Sequence, residues 1–328
     1  MYERGERMTT ALITGIRGQD GWYLARRLLG LGYRVVGTTH DPGAAGALAI
    51  DGRDAEVIAL DVSDMAQVEH AIQRHAPDEI YNFAARASSA QLFDDPLATA
   101  EINGVAVGRL LEAIRRHRPA ARFCQASSSE VFAGAATSPQ DETTPRLPVN
   151  AYGAAKAFAD HLVAAYRHSL GLFACSAILY PHESPRRPVH FLVRKVAHAA
   201  ARIAAGQQQA IALGDLGAVR DWGYAPDVVE AMRRMLQQPA PRDYVIATGE
   251  PHTVGDVCEA AFARVGLDWR RHVAVDDQLR RAPDSVLRVG DPARARAELN
   301  WTPSLTFAEL IGHIVDSDRL QLGGATIG

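Results

Sequence analysis

The run Gln125-Ala126-Ser127-Ser128-Ser129-Glu130 places three hydroxyls and a carboxylate directly after an apolar segment, Arg122-Phe123-Cys124. That order predicts a buried strand whose carboxyl edge carries Ser128 and Glu130. Downstream, Tyr152 and Lys156 lie four residues apart, and Ala155, Phe158, Ala159, Leu162, Val163 and Tyr166 recur at helical spacing. The tyrosine and lysine therefore share one helix face. A tyrosine hydroxyl is a poor base near neutral pH, because its ordinary pKa is about 10. An ammonium one turn away favours the phenolate, as an oxidised nicotinamide would. Ser128 can hydrogen-bond the same substrate hydroxyl that Tyr152 deprotonates. The set suits removal of hydride from a carbinol. Taken alone, Tyr152 and Lys156 could also be a surface helix pair, and Glu130 a carboxylate capping a loop.

These groups need a cofactor platform, and the chain start supplies one. Ala11-Leu12-Ile13-Thr14 is a buried-strand signature, followed at once by Gly15-Ile16-Arg17-Gly18-Gln19-Asp20-Gly21 and a helix expected over 22–31. In a first βα turn, glycines let backbone approach a pyrophosphate, and the helix N-terminus presents free N–H groups to it. The second strand, Arg34-Val35-Val36-Gly37, ends near Thr38-Thr39-His40-Asp41, where an acid would select NAD and a base NADP. Thr39 is neither, and Asp41 comes two positions late. Arg17 can pair with a 2′-phosphate or stay a solvated arginine, so NADP and NAD both remain open. Strand three leads to Asp61-Val62, placed to cap the adenine amino group; strand four leads to Ala84-Ala85, small enough for close approach. Helices fit 65–75 and 97–116, and a sixth strand fits 173–179. Strands alternating with helices predict an α/β fold, a Rossmann-like doubly wound parallel sheet.

Length and composition set the outer limits. The chain has 328 residues, 47% hydrophobic and 22% charged, with a net charge of −3. That is ample for one large or two fused domains, and it gives no sign of a nucleic-acid or anionic-membrane partner. Cys124, Cys175 and Cys258 lie far apart without metal-ligand spacing, so no metal is expected and the thiols read as buried and reduced. The charged start shows no apolar signal region, and no apolar run is long enough for a bilayer. A Gly/Ala loop near 43–46 and the tail from Gly323 through Ala325 read as mobile.

After Tyr180 the texture changes to Pro181-His182-Glu183-Ser184-Pro185-Arg186-Arg187-Pro188, then a helix bearing Arg194 and Lys195. Further on come Arg220-Asp221-Trp222-Gly223-Tyr224, a helix over 227–237, a strand over 244–247, and small helices over 253–265 and 292–299. This predicts a smaller mixed α/β lobe from 180–221 and 250–320. The dinucleotide-binding domain would then cover 8–179, rejoined by 222–249. Arginine loops suit bidentate pairing with a diphosphate.

With these residues assembled, the chain resembles the GDP-mannose 4,6-dehydratase family of extended short-chain dehydrogenases/reductases, from Ala11 to about Trp301. The resemblance rests on Ile13-Thr14-Gly15 with Gly18-Gln19-Asp20-Gly21, on Gln140-Asp141-Glu142-Thr143-Thr144-Pro145, and on His182-Glu183-Ser184-Pro185-Arg186-Arg187. It extends through Arg220-Asp221-Trp222-Gly223-Tyr224-Ala225, Tyr244-Val245-Ile246-Ala247-Thr248-Gly249-Glu250 and Gly266-Leu267-Asp268-Trp269. It implies an enzyme that oxidises C4 of a GDP-hexose, loses water across C5–C6 and returns hydride to C6, and the reduced thiols point to a cytoplasmic location. Tyr152, Lys156, Ser128 and Glu130 would carry the chemistry. His182, Glu183, Lys195, Arg220, Arg281 and Asp284 would hold the GDP-sugar, NADP (or NAD) would be the cofactor, and the assembly a homodimer or homotetramer. Departures from the family pattern fall at Ser128 (threonine in the family), Pro181 (asparagine), Pro188-Val189 (glycine and glutamate), His40-Asp41 (a pair of arginines) and Asp284 (glutamate). Alternatives on the same scaffold are a GDP-sugar epimerase, a 4-reductase or a non-catalytic nucleotide-binding homologue.

Overall fold

The computed structural model describes residues 8–86, 95–279 and 287–323. Its apolar runs pair into one eight-stranded sheet: β1 (Thr10–Thr14), β2 (Arg34–Thr39), β3 (Gly46–Ile50), β4 (Arg53–Ala59), β5 (Glu79–Asn82), β6 (Arg122–Ala126), β7 (Ala174–Leu179) and β8 (Tyr244–Ile246). The order is β8-β7-β6-β5-β1-β2-β4-β3. The pairs from β7 to β4 are parallel, and β3 runs antiparallel to β4. Between the strands run α1 (Gln19–Gly30), α2 (Met65–His75), α3 (Pro96–Ala100), α4 (Ala106–His117) and α5 (Ala151–Leu170). A π-helical turn, Glu101–Val105, joins α3 to α4. Leu12, Ile80 and Phe123 of the sheet pack with Leu110, Leu111, Ile114 and Val163 of the helices, all essentially buried. The expected doubly wound sheet is what forms.

The chain divides into two compact units, one of Met1–Val131, Pro148–Ile178 and Val229–Tyr244, the other of Phe132–Leu147, Leu179–Val228 and Val245–Gly328. Residues 132–147, which the sequence puts in the first domain, thus fall in the second unit, and the rejoining segment is 229–244. The second unit holds α6 (Leu192–Ala204), the first residues of α7 (Ala225–Met235), then α8 (Val254–Ala263), α9 (Ala293–Leu299) and α10 (Phe307–Leu322). Val196, Ala200, Phe262, Ile311 and Ile314 share its core. Arg194 of α6 donates to Asp318 of α10, a pair that is itself buried.

Three elements differ from the sequence reading. Helix α1 starts at Gln19, inside the glycine loop, three residues earlier than expected. The supposedly mobile Gly/Ala loop is a 3-10 turn, Pro42–Ala44, followed by β3, which folds back on β4 through Asp51 and Gly52, both at positive φ (49° and 74°). Helix α10 has no counterpart in the sequence reading at all. The tail beyond Gly323 lies outside the described residues.

One charge cluster in the first unit yields a stability prediction. Glu230 of α7 accepts from Arg27 of α1 (2.9 Å), from Arg233 (2.9 and 3.0 Å) and from Arg234 (2.8 Å). Burial alone would raise its carboxyl, but the three guanidiniums outweigh that and hold it at about 2, against an ordinary 4.5. A depressed folded value means the stabilisation is whole above about pH 4.5 and is lost as pH falls towards 2. After solvent screening it amounts to roughly 2 kcal/mol. Urea unfolding of Glu230→Gln should show that deficit at pH 7 and little difference from wild type at the acid end. An equal deficit at both pH values would refute the charge-based account.

Candidate active site

The glycine loop follows β1, Asp61 and Val62 follow β4, Ala84 follows β5 and the Ser-Ser-Ser-Glu run follows β6. Parallel strands put all of these at one edge of the sheet. Just inside that edge, Thr38, Thr14, Asn82, Gln125 and Ser176 stand in a single register row across β2, β1, β5, β6 and β7. All five are buried. Within the row the Thr14 hydroxyl donates to Asn82 Oδ1 (2.5 Å), and Asn82 Nδ2 donates to Gln125 Oε1 (2.7 Å). Gln125 Nε2 then donates to the Ala126 carbonyl (2.8 Å), which also accepts from Lys156 Nζ (2.7 Å). A line of satisfied polar groups thus runs from β1 to the lysine of α5. Sequence reasoning placed Thr14 and Asn82 in strands and Gln125 at the head of the run after one, and gave none of the three a role of its own in the site; the signal was a polar residue at or near the carboxyl end of each strand.

Lys156 is 2% exposed, and its ammonium sits 5.7 Å from the centre of the Tyr152 ring. Burial lowers its pKa to about 8, while the carboxylates of Asp160 and Asp20 pull the other way. Asp20 belongs to the glycine loop, so loop and tyrosine–lysine pair lie within electrostatic reach. Asp160 also accepts from the buried Ser127 hydroxyl (2.8 Å), which braces α5 against the end of β6. Ser128 and Glu130 stand on the 3-10 turn Ser129–Phe132 and its approach, where the Glu130 N–H donates to Ser128 Oγ (3.2 Å). Because Oγ accepts there, the Ser128 hydroxyl can still donate its own hydrogen. Asn150, unmarked in the sequence, caps α5 by accepting from the Gly153 N–H (2.8 Å).

The loop suits a dinucleotide. Gly15 has φ +69°, and a Cβ there would lie 3.3 Å from the Ala84 nitrogen, so backbone fills the space a side chain would need. Helix α1 has Gly18 at its N-cap and no side-chain cap, whereas Asp64 and Asn150 cap α2 and α5. A helix N-terminus favours an anion such as a pyrophosphate. Arg17 donates through Nε (3.0 Å) and Nη2 (2.5 Å) to the Ala44 carbonyl, which holds its guanidinium beside the turn after β2. Asp41 spends a carboxylate oxygen on the Gly43 N–H (2.9 Å). Asp61 likewise accepts from the Ser63 N–H and hydroxyl, which lower its pKa. Val62 is buried and Ala84 half-buried.

The remaining expected site residues lie in the second unit and are engaged locally. His182 and Glu183 form a two-residue strand parallel to Gly223–Tyr224. His182 Nδ1 bonds the Tyr180 carbonyl (2.7 Å), and the buried Glu183 pairs with Arg187 at 3.6 Å. Lys195 on α6 donates to the Ala212 carbonyl (2.9 Å), and Arg220 to the Val219 carbonyl (2.6 Å). Arg281 and Asp284 lie outside the described residues. Two of the signature motifs prove to be braces. Gln140 accepts from Tyr180 and donates to the Thr137 and Leu287 carbonyls; Asp221, wholly buried, accepts from Thr248 and Gly249. Among the described residues no cluster of histidine, cysteine and carboxylate side chains could hold a metal ion, and no helix is long and apolar enough to cross a membrane.

Comparison with known proteins agrees with this geometry. The pattern of the GDP-mannose 4,6 dehydratase family matches residues 12–314. GDP-mannose 4,6 dehydratase 2 of Arabidopsis thaliana is 40% identical, aligned over 94% of this chain and 86% of its own length. The human GDP-mannose 4,6 dehydratase is 37% identical over 96% of this chain and 93% of its own. Among solved structures, the Thermus thermophilus UDP-glucose 4-epimerase in complex with NAD superposes with a TM-score of 0.79 at 29% identity, over 95% of this chain and 99% of that one. A family pattern spanning nearly the whole chain, with relatives of such identity and coverage, means that the chain belongs to the GDP-mannose 4,6 dehydratase family.

Proposed function

We propose that the protein is a GDP-hexose 4,6-dehydratase that converts GDP-mannose, or a close relative, to the GDP-4-keto-6-deoxy sugar. The observation that carries this reading is the carboxylate of Glu130 on the same sheet edge as Tyr152 and Lys156. Oxidation at C4 needs only the tyrosine and lysine; elimination needs a further group that can take a proton and give it back. The bound dinucleotide supplies the acceptor for hydride from C4 and its donor to C6. Tyr152 takes the C4 hydroxyl proton, with the Lys156 ammonium favouring its phenolate. Ser128 donates a hydrogen bond to the C4 oxygen. The resulting ketone acidifies the C5 hydrogen; Glu130 removes that proton and delivers it to the departing C6 hydroxyl, which leaves as water. Lys195 and Arg220, with Arg281 and Asp284, hold the GDP moiety, and His182 and Glu183 shape the sugar side. The enzyme works as a cytoplasmic homodimer or homotetramer.

NADP is the cofactor this reading assigns, with Arg17 receiving the 2′-phosphate. Its guanidinium is fixed at the end of β2 and still has donors beyond the two given to Ala44, while Asp41 is committed to its own turn. Arg17→Ala should weaken NADPH binding roughly 10-fold or more and leave NADH binding unchanged, measured by fluorescence titration. Equal losses for both would remove Arg17 from that role.

The reading is tested by mass spectrometry of the purified protein incubated with GDP-mannose and no added reductant. A product lighter by one water supports it. A product of unchanged mass but altered stereochemistry indicates an epimerase, and an untouched panel of GDP-hexoses a non-catalytic homologue.

A further inference from the structure

Asn150 does two things at once. Its Oδ1 accepts from the Gly153 N–H (2.8 Å) and so caps α5, the helix that carries Tyr152 and Lys156. Its Nδ2 donates to Glu130 Oε2 (2.8 Å), twenty residues earlier on a separate 3-10 turn. A second, independent feature brings the same two segments together. A Cβ on Gly153 would lie 2.6 Å from the Glu130 carbonyl oxygen, a distance real side chains do not reach, so only glycine lets the first turn of α5 come so near. Backbone proximity and the amide bridge together fix where the Glu130 carboxylate stands relative to the helix bearing Tyr152.

We propose that Asn150 is a positioning residue that holds the Glu130 carboxylate in register with Tyr152, so that proton removal from C5 follows oxidation at C4 without rearrangement. This rests on the dehydratase reading given above. The amide is neutral, so it can orient the carboxylate without adding a charge beside the proton it must move. A side chain of one planar group with a donor and an acceptor meets both demands, which a serine or aspartate cap meets only in part.

Asn150→Ser and Asn150→Asp separate capping from positioning, because serine and aspartate cap helices about as well as asparagine. Serine shortens the reach to Glu130; aspartate turns a carboxylate towards it. Two measurements are made on the full chain. The first is a double-mutant cycle in urea unfolding with Asn150→Ser, Glu130→Ala and the pair, which needs no turnover and in which each single variant removes the contact. Its effects should fail to add, by roughly 3- to 10-fold in the unfolding constant. The second resolves the reaction into C4 oxidation, read from nicotinamide absorbance, and C5 proton exchange with deuterated solvent. Oxidation should stay within about 2-fold of wild type, and exchange should fall roughly 10-fold in Asn150→Ser and further in Asn150→Asp. Additive effects in the cycle, or oxidation and exchange falling in proportion, would overturn the proposal. A wild type inert towards GDP-hexoses would refute the dehydratase reading instead, and the cycle would still decide the contact.

Discussion

Tyr152→Phe is expected to fold and bind nucleotide normally yet turn over roughly 10³-fold more slowly, the scale of a lost general acid–base group. The ring is half-buried at the start of α5, so removing one oxygen disturbs little packing. Lys156 keeps its hold on the Ala126 carbonyl and its line to the Gln125 amide. The loss therefore falls on the chemical step, visible as a collapse in product formation with an unchanged melting temperature. Because Lys156 titrates at about 8, its ammonium is whole below that pH and lost above it. Wild-type turnover should consequently decline on the alkaline side of about pH 8, and Lys156→Arg, whose guanidinium stays charged, should shift that limb upward. Turnover of Tyr152→Phe within tenfold of wild type would end the assignment of Tyr152 as the base.

Glu130→Gln should cut the reaction in two. The amide is nearly isosteric and can still lie beside Asn150, so C4 oxidation persists and the reduced-nicotinamide signal appears on adding GDP-mannose. Loss of water should fall by roughly 10² to 10⁴, because no group remains to carry the C5 proton. Rapid mixing followed by mass spectrometry separates the two steps. A variant that still dehydrates at near wild-type rate would hand the elimination to another residue.

How much of this was legible beforehand depends on how local each signal is. The glycine loop and the Tyr152–Lys156 pair are short-range patterns, and the structure places them on the elements expected. The β3 hairpin was missed although Asp51-Gly52 is a strong hairpin dipeptide, because the Gly/Ala composition before it hid the alternation. Helix α10 likewise announces itself by a capping box, Thr306 with Glu309, ahead of an apolar stripe. The braces were harder. Gln140 and Asp221 find their partners across long stretches of chain, and no spacing rule distinguishes a structural carboxylate from a binding one. Asn150 was invisible for the same reason: its cap is local, its bond to Glu130 is not.

The polar row through Thr38, Thr14, Asn82, Gln125 and Ser176 also bears on how the chain finds its fold. Towards their carboxyl ends the strands it crosses are otherwise mostly apolar, and such strands hold their alignment only weakly by pattern alone, since one buried aliphatic replaces another at little cost. A sliding of β5 by one residue would set Asn82 against Ala126 or Cys124 and leave amide groups stranded in the interior, each costing about 1–3 kcal/mol. The Thr14–Asn82–Gln125 part of the row therefore penalises a misaligned pairing while the correct one satisfies it, so the residues that lead to the active-site lysine also serve as the alignment mark by which β1, β5 and β6 select one pairing during folding.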